Sequence, residues 1–468
     1  MALVVAVPLA VRLAATPVRV RLLSPADFGE VSLWAAAIAV VSGFALWPTT
    51  GMMRYLPAGT EADRATVLRA WIQATAWTIG LLTLGAGAWA LHAGRVWGWV
   101  AVILALEALI IAATSYARAV GRFRTLAGVA LSGSILGVAA GTALIVPMGP
   151  VGVLVGWAAA DVVAIALAGV LLGPSIVAGL RVASGSQFGR LARYSAPLAV
   201  SNGAWMLVTW IDRPLLAGLV SRTELGLYSL AYVLVAAPLA GAFTVLSGVT
   251  WSHAVVAHER EGYPAAVELL RRSSRIYTAT AVPVVVWLGF YADTILHVLA
   301  PSQFAGGARH VVWLAVGLWC FGLLPYRNQH LMLWGRSGWA AVSPLIALGV
   351  NVAVILLLVP VIGAVGAAVA TAAAYVAALG VASALCRRDG RVESRLPLGL
   401  TGACFAAATA AAAAAQPFVD ALQGRWAQAG GLAFIGAALV GVAFVVEGSA
   451  LRLLRPRLRM TPHPNEIE

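Results

Sequence analysis

The chain reads SPADFGEVSLWAAAIAVV from Ser24 to Val41, and much later it reads SRTELGLYSLAYVLVAAP from Ser221 to Pro238. At one constant offset, five positions are identical or similar in the two copies: Ser24, Asp27, Gly29, Ser32 and Leu33 match Ser221, Glu224, Gly226, Ser229 and Leu230. A polar turn followed by an apolar run is typical of a helix beginning. The acidic residues would stabilise helix N-termini and the glycines would allow close packing, so we interpret both copies as architectural.

The composition around these copies is that of a membrane protein. The 468 residues are 61% hydrophobic and 10% charged, against roughly 25% charged for a soluble domain, and the mean hydropathy is +0.90. A helix of about 20 apolar residues crosses a bilayer core and satisfies its own backbone hydrogen bonds. We predict an all-α polytopic membrane protein with about fourteen transmembrane helices. The spans are predicted at 1–22, 27–52, 68–92, 96–117, 125–147, 150–177, 194–219, 225–251, 273–297, 309–334, 339–359, 361–386, 397–417 and 428–452.

A second pair of similar segments supports the duplication. The chain reads VPMGPVGVLVGWAAAD from Val146 to Asp161, between spans five and six, and VPVIGAVGAAVATAAAY from Val359 to Tyr375, between spans eleven and twelve. Two matches in the same order predict two six-helix lobes in the same orientation, related by an axis along the membrane normal. The predicted regions are an N-lobe at 1–180, a C-lobe at 190–390, two peripheral helices at 396–454 and a cytoplasmic tail at 455–468.

The basic residues indicate topology rather than a nucleic-acid partner. The net charge is +13, all 31 basic residues are Arg, and most lie in alternate connections, as Arg54, Arg64 and Arg69 do after span two. Connections rich in Arg stay in the cytoplasm. We therefore expect a protein of the plasma (inner) membrane with both termini in the cytoplasm, and no nucleic-acid binding.

Charged side chains within the spans are functional candidates because their burial in lipid is costly. One face of span seven is polar and is expected to line a cavity. Its residues are Asn202, Trp205, Thr209, Asp212 and Arg213. In span one, the corresponding helix of the first copy, Arg12, Thr16 and Arg19 share a face. We interpret Arg12 as a cavity residue and Arg19 as a side chain that snorkels to the outer surface.

Span ten leaves two alternatives open. Arg327, Asn328, Gln329 and His330 follow Pro325, and a proline removes a helical hydrogen bond. Either these polar residues line a cavity toward the cytoplasm, or the span ends at the proline and the residues are interfacial.

Single acids and cysteines within the spans also have more than one interpretation. Glu107, Asp161 and Glu447 either relay a proton or bind a coupling cation, or they are salt-bridge or hydrogen-bond partners. The cysteines are isolated and have no His at ligand spacing, so we expect core residues, no metal site and no cofactor. These cysteines are Cys320, Cys386 and Cys404.

An arginine-lined space between two helical lobes suits an anionic substrate. Arg stays charged and binds phosphate oxygens in bidentate fashion, whereas a cavity for cationic drugs would carry carboxylates. Apolar walls beside the arginines would fit a ligand with a phosphate head and a lipid tail.

Three segments together resemble the polysaccharide-transporter branch of the multidrug/oligosaccharidyl-lipid/polysaccharide exporter superfamily. They read RLLSPADFGEVSLW from Arg21, DRPLLAGLVSRTELGLYSLAYVLVAAP from Asp212 and NVAVILLLVPVIGAVGAAVATAAAYV from Asn351. The likeness extends in order over nearly the whole chain. Members of this family include the flippases for O-antigen and capsule repeat units, and the first span here is shorter than is usual for them.

The resemblance implies a carrier and not an enzyme. Such proteins move an oligosaccharide linked by pyrophosphate to a polyprenol from the cytoplasmic to the outer leaflet, as two lobes rock about a cationic cavity, driven by an ion gradient. Carried over to this chain, Arg12, Asp212 and Arg213 lie along that cavity, and Arg327 is a further candidate. The implied partners are the lipid-linked glycan, the bilayer, a polysaccharide polymerase and glycosyltransferases, with the protein as a monomer.

Three other functions fit parts of the sequence. A peptidoglycan-precursor flippase of the same fold also requires cationic cavity residues. A multidrug antiporter of the superfamily normally has twelve spans and a carboxylate-bearing cavity. A glycan polymerase or ligase needs a large outer loop, and the longest outward connection here, LAPSQFAGGAR at 299–309, is too small.

Overall fold

The computed structural model describes residues 2–45, 47–58, 60–182, 185–334, 337–340, 342–388, 397–422 and 424–446. Within these ranges the chain forms α-helices joined by short turns, with one 3-10 turn at Ser302–Gly307, and it forms no strand. The predicted all-α fold is confirmed. Glu447 and the predicted tail at 455–468 lie outside the described residues.

The first eight helices correspond to predicted spans one to six, and we keep the name N-lobe for them. Their bounds are α1 Ala2–Leu22, α2 Pro25–Ala45, α3 Trp47–Ala58, α4 Glu61–Ala93, α5 Arg95–Ala119, α6 Phe123–Ala143, α7 Ile145–Met148 and α8 Val151–Val182. Span two is formed by α2 and α3 together, and α7 is a single turn before α8.

The next nine helices correspond to spans seven to twelve and are called the C-lobe. Their bounds are α9 Phe188–Trp210, α10 Asp212–Leu219, α11 Arg222–Glu261, α12 Tyr263–Phe290, α13 Ala292–Leu299, α14 Ala308–Leu333, α15 Ser337–Ala340, α16 Val342–Ile362 and α17 Val365–Arg388. Two helices follow, α18 Leu398–Ala421 and α19 Arg425–Val446. The predicted boundaries of the two lobes stay a prediction.

The helices have the lengths and compositions that a bilayer requires. Among the described residues, ten helices are long and apolar enough to cross a membrane. The helices α12 and α13 together form a further candidate span, which is bent by 76°. Predicted spans one, seven and fourteen coincide with α1, with α9 and α10, and with α19. The described part of each of the fourteen predicted spans is therefore helical, in one piece or in two.

The two copies of the first repeat begin their helices in the same way. Ser24 Oγ accepts from the Asp27 backbone N–H at 3.2 Å, and the Ser24 hydroxyl donates to Asp27 Oδ2 at 2.7 Å. In the second copy, Ser221 Oγ accepts from the Glu224 backbone N–H at 3.2 Å. Serine in this position satisfies an N–H group that the helix leaves without a partner. The repeat therefore specifies the N-terminus of α2 and of α11.

The same two copies pack against each other at their glycines. A Cβ atom added to Gly29 would collide with the carbonyl oxygen of Arg222, and one added to Gly226 would collide with that of Pro25. Each glycine thus meets the backbone of the other copy at the residue four positions before the matching glycine. The absence of a side chain lets α2 and α11 cross in direct backbone contact.

The second repeat specifies a turn between helices. Gly149 and Gly363 have φ values of 60° and 65°, which residues with a side chain rarely adopt. Three residues further on, Gly152 lies against the backbone of Leu144, and Gly366 lies against that of Leu358. The turns before α8 and before α17 therefore have matching geometry.

The lobes meet through the first two spans of each copy. Between the lobes, α2 contacts α9 and α11, α1 contacts α11, and α3 contacts α9. Within the lobes, α6 packs on α8, and α14 and α16 pack on α17. The helices α18 and α19 pack on α12 and on each other. The polar faces predicted for spans one and seven therefore belong to helices that also build the interface between the lobes.

Candidate functional site

The break in span seven carries two deeply buried charges. The helix α9 ends at Trp210 and α10 begins at Asp212, and the side chains of Asp212 and Arg213 are each 2% exposed. Arg213 Nη1 lies 2.7 Å from Asp212 Oδ1 and also donates to Thr209 O at 2.9 Å. The backbone N–H of Arg213 donates to Asp212 Oδ1 at 2.9 Å. The two adjacent residues therefore form a closed ion pair.

Aromatic residues enclose this pair. The Tyr228 hydroxyl donates to Asp212 Oδ2 and lies 3.3 Å from Thr371 Oγ1 of α17. The guanidinium carbon of Arg213 lies 4.1 Å from the ring centroid of Tyr232. Loss of either charge would leave the other buried without compensation. We call Asp212, Arg213, Tyr228 and Tyr232 the C-lobe cluster.

The N-lobe holds charges that lie near one another without a direct bond. Arg12 of α1, Glu107 of α5 and Asp161 of α8 are within electrostatic reach of each other, and none of the contacts between described residues joins them. Asp161 is buried, Glu107 is half-buried and Arg12 is exposed. Asp161 Oδ2 makes no hydrogen bond to any described residue. We call these three residues the N-lobe cluster.

The arginines of the two clusters occupy related places in the duplicated fold. At the offset that matches Ser24 with Ser221, Arg12 matches Thr209 and Thr16 matches Arg213. Thr16 donates its hydroxyl to Arg12 O at 2.9 Å. Each first helix thus carries an arginine and a threonine four residues apart, in opposite order, so the arginine is displaced by one turn between the lobes.

The snorkelling interpretation of Arg19 stays a prediction, and the structure gives this side chain partners on a neighbouring helix. Its Nε donates to Thr142 Oγ1 at 2.9 Å and its Nη2 to Val138 O at 3.3 Å, both on α6. A Cβ atom at Gly141 would lie 3.3 Å from that Nη2, so this glycine leaves room for the guanidinium. Because α6 offers a hydroxyl and a carbonyl within reach, Arg19 binds α1 to α6 inside the N-lobe.

The alternative in which span ten ends at Pro325 is wrong. The helix α14 continues to Leu333, because packed neighbouring helices compensate for the one hydrogen bond that a proline removes. Arg327 is 4% exposed, and Asn328 Oδ1 accepts from the Ser343 hydroxyl of α16 at 3.1 Å. In this conformation the polar residues are packed between helices, and a cavity role for Arg327 stays a prediction.

The other predicted site residues are placed less completely. Asn202 belongs to α9, but its side chain is outside the part of the chain whose side chains are described. The cavity roles of Arg12, Asp212 and Arg213 and the coupling roles of Glu107 and Asp161 stay predictions.

Sequence reasoning missed the tyrosines of the C-lobe cluster. Tyr228 and Tyr232 lie in the second copy of the first repeat, where the first copy has Val31 and Ala35. A departure from the repeat that replaces two small apolar residues by tyrosine was the available signal. The departure is explained by the ion pair of Asp212 and Arg213, because no buried ion pair is found among the described residues of the N-lobe.

Solved structures show the same fold at low sequence identity. The lipid II flippase MurJ, in an inward closed conformation, matches with a TM-score of 0.70 and 11% identity, covering 95% of this chain and 99% of that chain. A multidrug resistance MATE family transporter matches in its inward-facing conformation with a TM-score of 0.62 and 15% identity, covering 81% of this chain and 94% of that chain. An outward-facing conformation of a multidrug resistance MATE family transporter matches with a TM-score of 0.57 and 14% identity, covering 83% of this chain and 95% of that chain.

The sequence comparison gives the family. No curated protein sequence matches the chain significantly, but the family model of polysaccharide biosynthesis proteins matches residues 18–308, which is more than half of the chain. The match covers both copies of the first repeat, the whole C-lobe cluster, and Glu107 and Asp161 of the N-lobe cluster. Arg12 precedes the match, and the helices after α13 follow it. The chain therefore belongs to the polysaccharide biosynthesis protein family, and it is a multi-pass membrane protein whose fold is that of a lipid II flippase and of MATE family transporters.

Proposed function

We propose that this protein moves a polyprenyl-pyrophosphate-linked oligosaccharide from the cytoplasmic to the outer leaflet of the plasma membrane, by alternating access of its two lobes. The family match over residues 18–308 carries the proposal. Polysaccharide synthesis on a lipid carrier needs a protein of transporter fold, because the sugars of the intermediate cannot cross the bilayer core unaided. The protein acts as a carrier and not as an enzyme.

Arg12 is the residue that we propose for contact with the pyrophosphate. Its side chain is exposed and is not bonded to the two nearby acids, so its donors are available to phosphate oxygens. Arg213 is already paired with Asp212 and is buried beneath aromatic rings. A substrate would reach Arg213 only after the C-lobe cluster had opened.

Glu107 and Asp161 supply the coupling in this proposal. Two carboxyl groups beside a bound pyrophosphate would repel it, and burial leaves little water to screen that repulsion. Uptake of a cation, either a proton or Na⁺, by the acids would remove the repulsion. Substrate binding would thereby be linked to the ion gradient across the membrane.

Both termini lie in the cytoplasm in this proposal, because the connections rich in Arg are on that side. The substrate would be received from glycosyltransferases at the cytoplasmic face and delivered to a polysaccharide polymerase at the outer face. The protein would work as a monomer, since each copy of the duplicated fold supplies one lobe.

A peptidoglycan-precursor flippase is the second candidate. The observation that favours it is the likeness to MurJ over nearly the whole of both chains, with a TM-score of 0.70. The family match favours the polysaccharide intermediate, and both substrates carry a pyrophosphate. The experiment therefore has to identify the sugars.

The test is mass spectrometry of lipids from cells depleted of the protein, with fractionation of the intermediate by leaflet. Depletion is expected to cause accumulation of a polyprenyl-pyrophosphate oligosaccharide on the cytoplasmic side. Wild-type protein restores transport, and Arg12→Gln does not at equal abundance. The matched control is Arg95→Gln, which removes an exposed arginine at the first residue of α5.

Each outcome separates the candidates. Accumulation of a peptidoglycan precursor in place of an oligosaccharide lipid would assign the second function. If neither lipid accumulates in a strain without a redundant transporter, the flippase proposal is wrong and export of a small solute has to be considered.

A further inference from the structure

The N-lobe and the C-lobe touch at one end of their interface through two arginines and two tyrosines. Arg54 and Tyr55 belong to α3, and Arg190 and Tyr194 belong to α9. Arg54 Nη1 donates to the Tyr194 hydroxyl oxygen at 3.3 Å, and the guanidinium carbon lies 4.8 Å from the Tyr194 ring centroid. The guanidinium carbon of Arg190 lies 4.4 Å from the ring centroid of Tyr55. We call these four residues the arginine–tyrosine latch.

The latch is reciprocal across the lobes. Each arginine lies over a tyrosine ring of the other lobe, and the two rings contact each other with centroids 5.5 Å apart at an angle of 65°. The connections that carry Arg54 and Arg190 belong to the set predicted to face the cytoplasm. The latch therefore closes the interface at the side from which a cytoplasmic substrate would arrive.

Small residues form the interface directly behind the latch. Gly51 of α3 faces Ser195 of α9, which is fully buried, and a Cβ atom at Gly51 would lie 2.5 Å from Ser195 Oγ. Further along, Gly43 of α2 lies against the side chain of Met206. Small residues let helices approach closely without interlocking side chains. Beside Gly51, Leu191 of α9 is buried among N-lobe residues such as Met52 and Leu68, so separation of α3 from α9 also withdraws this side chain from the N-lobe core.

The tyrosine rings contact the two arginines of the latch but do not neutralise their positive charge. Both side chains are exposed, and neither takes part in an ion pair found among the described residues. A cation over an aromatic ring at an exposed site is held weakly. Arg binds a phosphate through two parallel hydrogen bonds to an ionised acceptor, each about twice as strong as a neutral one. A phosphate group at this position would therefore compete with the rings for both arginines.

We propose that the arginine–tyrosine latch is a gate released by the pyrophosphate of the incoming lipid. The pyrophosphate binds Arg54 and Arg190, withdraws both guanidinium groups from the tyrosine rings, and thereby loosens the contact between α3 and α9. This inference rests on the proposed function, because it takes the ligand to be a lipid-linked pyrophosphate that arrives at the arginine-rich side. It assigns recognition of the headgroup to a site distinct from Arg12.

The test measures access to Ser195, which is buried behind the latch. Ser195→Cys is introduced after Cys320, Cys386 and Cys404 have been replaced by Ala, and the protein is placed in phosphatidylcholine nanodiscs. The rate of labelling by a polar maleimide is measured with undecaprenyl pyrophosphate, with undecaprenol and with inorganic pyrophosphate. Met206→Cys, deeper in the same interface, is a second reporter that does not adjoin the latch.

Undecaprenyl pyrophosphate is expected to raise the labelling rate of both cysteines, and undecaprenol is not. Inorganic pyrophosphate that acts as well as the lipid would show that the headgroup alone releases the latch. Arg54→Gln with Arg190→Gln is expected to raise the basal rate about fivefold, as loss of a weak contact would, and to abolish the response. Arg193→Gln is the matched control, because Arg193 is exposed on α9 beside Tyr194.

The proposal is overturned if undecaprenyl pyrophosphate leaves both labelling rates unchanged, or if Arg193→Gln has the same effect as the two latch substitutions. Failure of the latch is distinguishable from failure of the proposed function. If only the latch proposal fails, lipid-linked oligosaccharide still accumulates in depleted cells. The double variant Arg54→Gln with Arg190→Gln then clears that lipid at the wild-type rate. If the proposed function itself fails, no such lipid accumulates.

Discussion

In the C-lobe, Asp212 and Arg213 are buried and in direct contact, whereas in the N-lobe Arg12 lies near Glu107 and Asp161 without a bond. The arginines of the two clusters lie on the first span of each copy, whereas their other members lie on helices that do not correspond. The C-lobe has added tyrosines that bind the carboxylate and stack on the guanidinium of its pair, although Arg213 Nε makes no hydrogen bond to any described residue. The N-lobe has left an oxygen of Asp161 without a hydrogen bond to any described residue.

The difference teaches that one duplicated scaffold supports two uses of charge. A closed, enclosed pair stabilises one arrangement of helices and resists change, because separation of its members in low dielectric is costly. An open group of charges is free to exchange partners with a ligand or an ion. We therefore expect substitutions in the C-lobe cluster to affect stability, and substitutions in the N-lobe cluster to affect transport.

The largest effect is expected when one member of the C-lobe pair is removed. Arg213→Met leaves Asp212 buried without its cation, and we expect a loss of about 3–5 kcal/mol of stability. The double variant Asp212→Leu with Arg213→Met should recover most of that loss, since no charge remains. The stability of each variant is measured by its thermal midpoint and by its folded yield in detergent. Equal destabilisation by the single and double variants would contradict the comparison between the lobes. The N-lobe control is Arg12→Met, for which we expect a change in stability below about 1 kcal/mol.

A smaller effect is expected at Tyr228. Tyr228→Phe removes the hydroxyl that donates to Asp212 while it keeps the ring, and a hydrogen bond to a charged group contributes about 1.5–3 kcal/mol. The thermal midpoint should fall accordingly. Tyr116→Phe in the N-lobe is the control, because the buried Tyr116 hydroxyl makes only a long bond of 3.4 Å to Ser175. A similar decrease of the thermal midpoint in both variants would show that the hydrogen bond from Tyr228 to the ion pair contributes no more stability than the hydroxyl of Tyr116 does.

The N-lobe cluster is expected to respond in transport rather than in stability. Asp161→Asn preserves shape but removes the charge, so the cluster loses a carboxylate for coupling. We expect the rate of lipid-linked glycan translocation in proteoliposomes to fall about tenfold, equivalent to about 1.4 kcal/mol in the barrier, with an unchanged thermal midpoint. The control is Asp420→Asn, an exposed acid on α18. Destabilisation by Asp161→Asn would mean that this acid is structural, like Asp212.

The smallest difference between the lobes is expected at the matched turns, where the two copies should behave alike. Gly149→Ala and Gly363→Ala place a side chain at a φ of 60° and 65° respectively, and Gly149 has a ψ of −147°, so the strain costs about 1–3 kcal/mol. The two variants should lower the thermal midpoint by the same amount. A large difference between them would show that the duplicated turns are not energetically equivalent.

The sequence alone determined the helices, the duplication and the local geometry of the helix ends. About 20 apolar residues of helix are required at each crossing, and Ser24 with Asp27 or Ser221 with Glu224 caps a helix through contacts within three residues. Such features depend on neighbours along the chain or on the bilayer. They were therefore predictable without knowledge of the packing.

Only the tertiary structure decided how the charges are used. Adjacent residues of a helix usually point in different directions, so their spacing did not predict the pairing of Asp212 with Arg213, and Tyr228 binds the carboxylate from another helix. The same holds for Arg19, which binds α6, and for Arg54 and Arg190, each of which lies over a tyrosine of the opposite lobe. The partners of a long cationic side chain are chosen by whichever donors, acceptors and rings the fold brings within a few ångströms, and no local pattern in the sequence contains that distance.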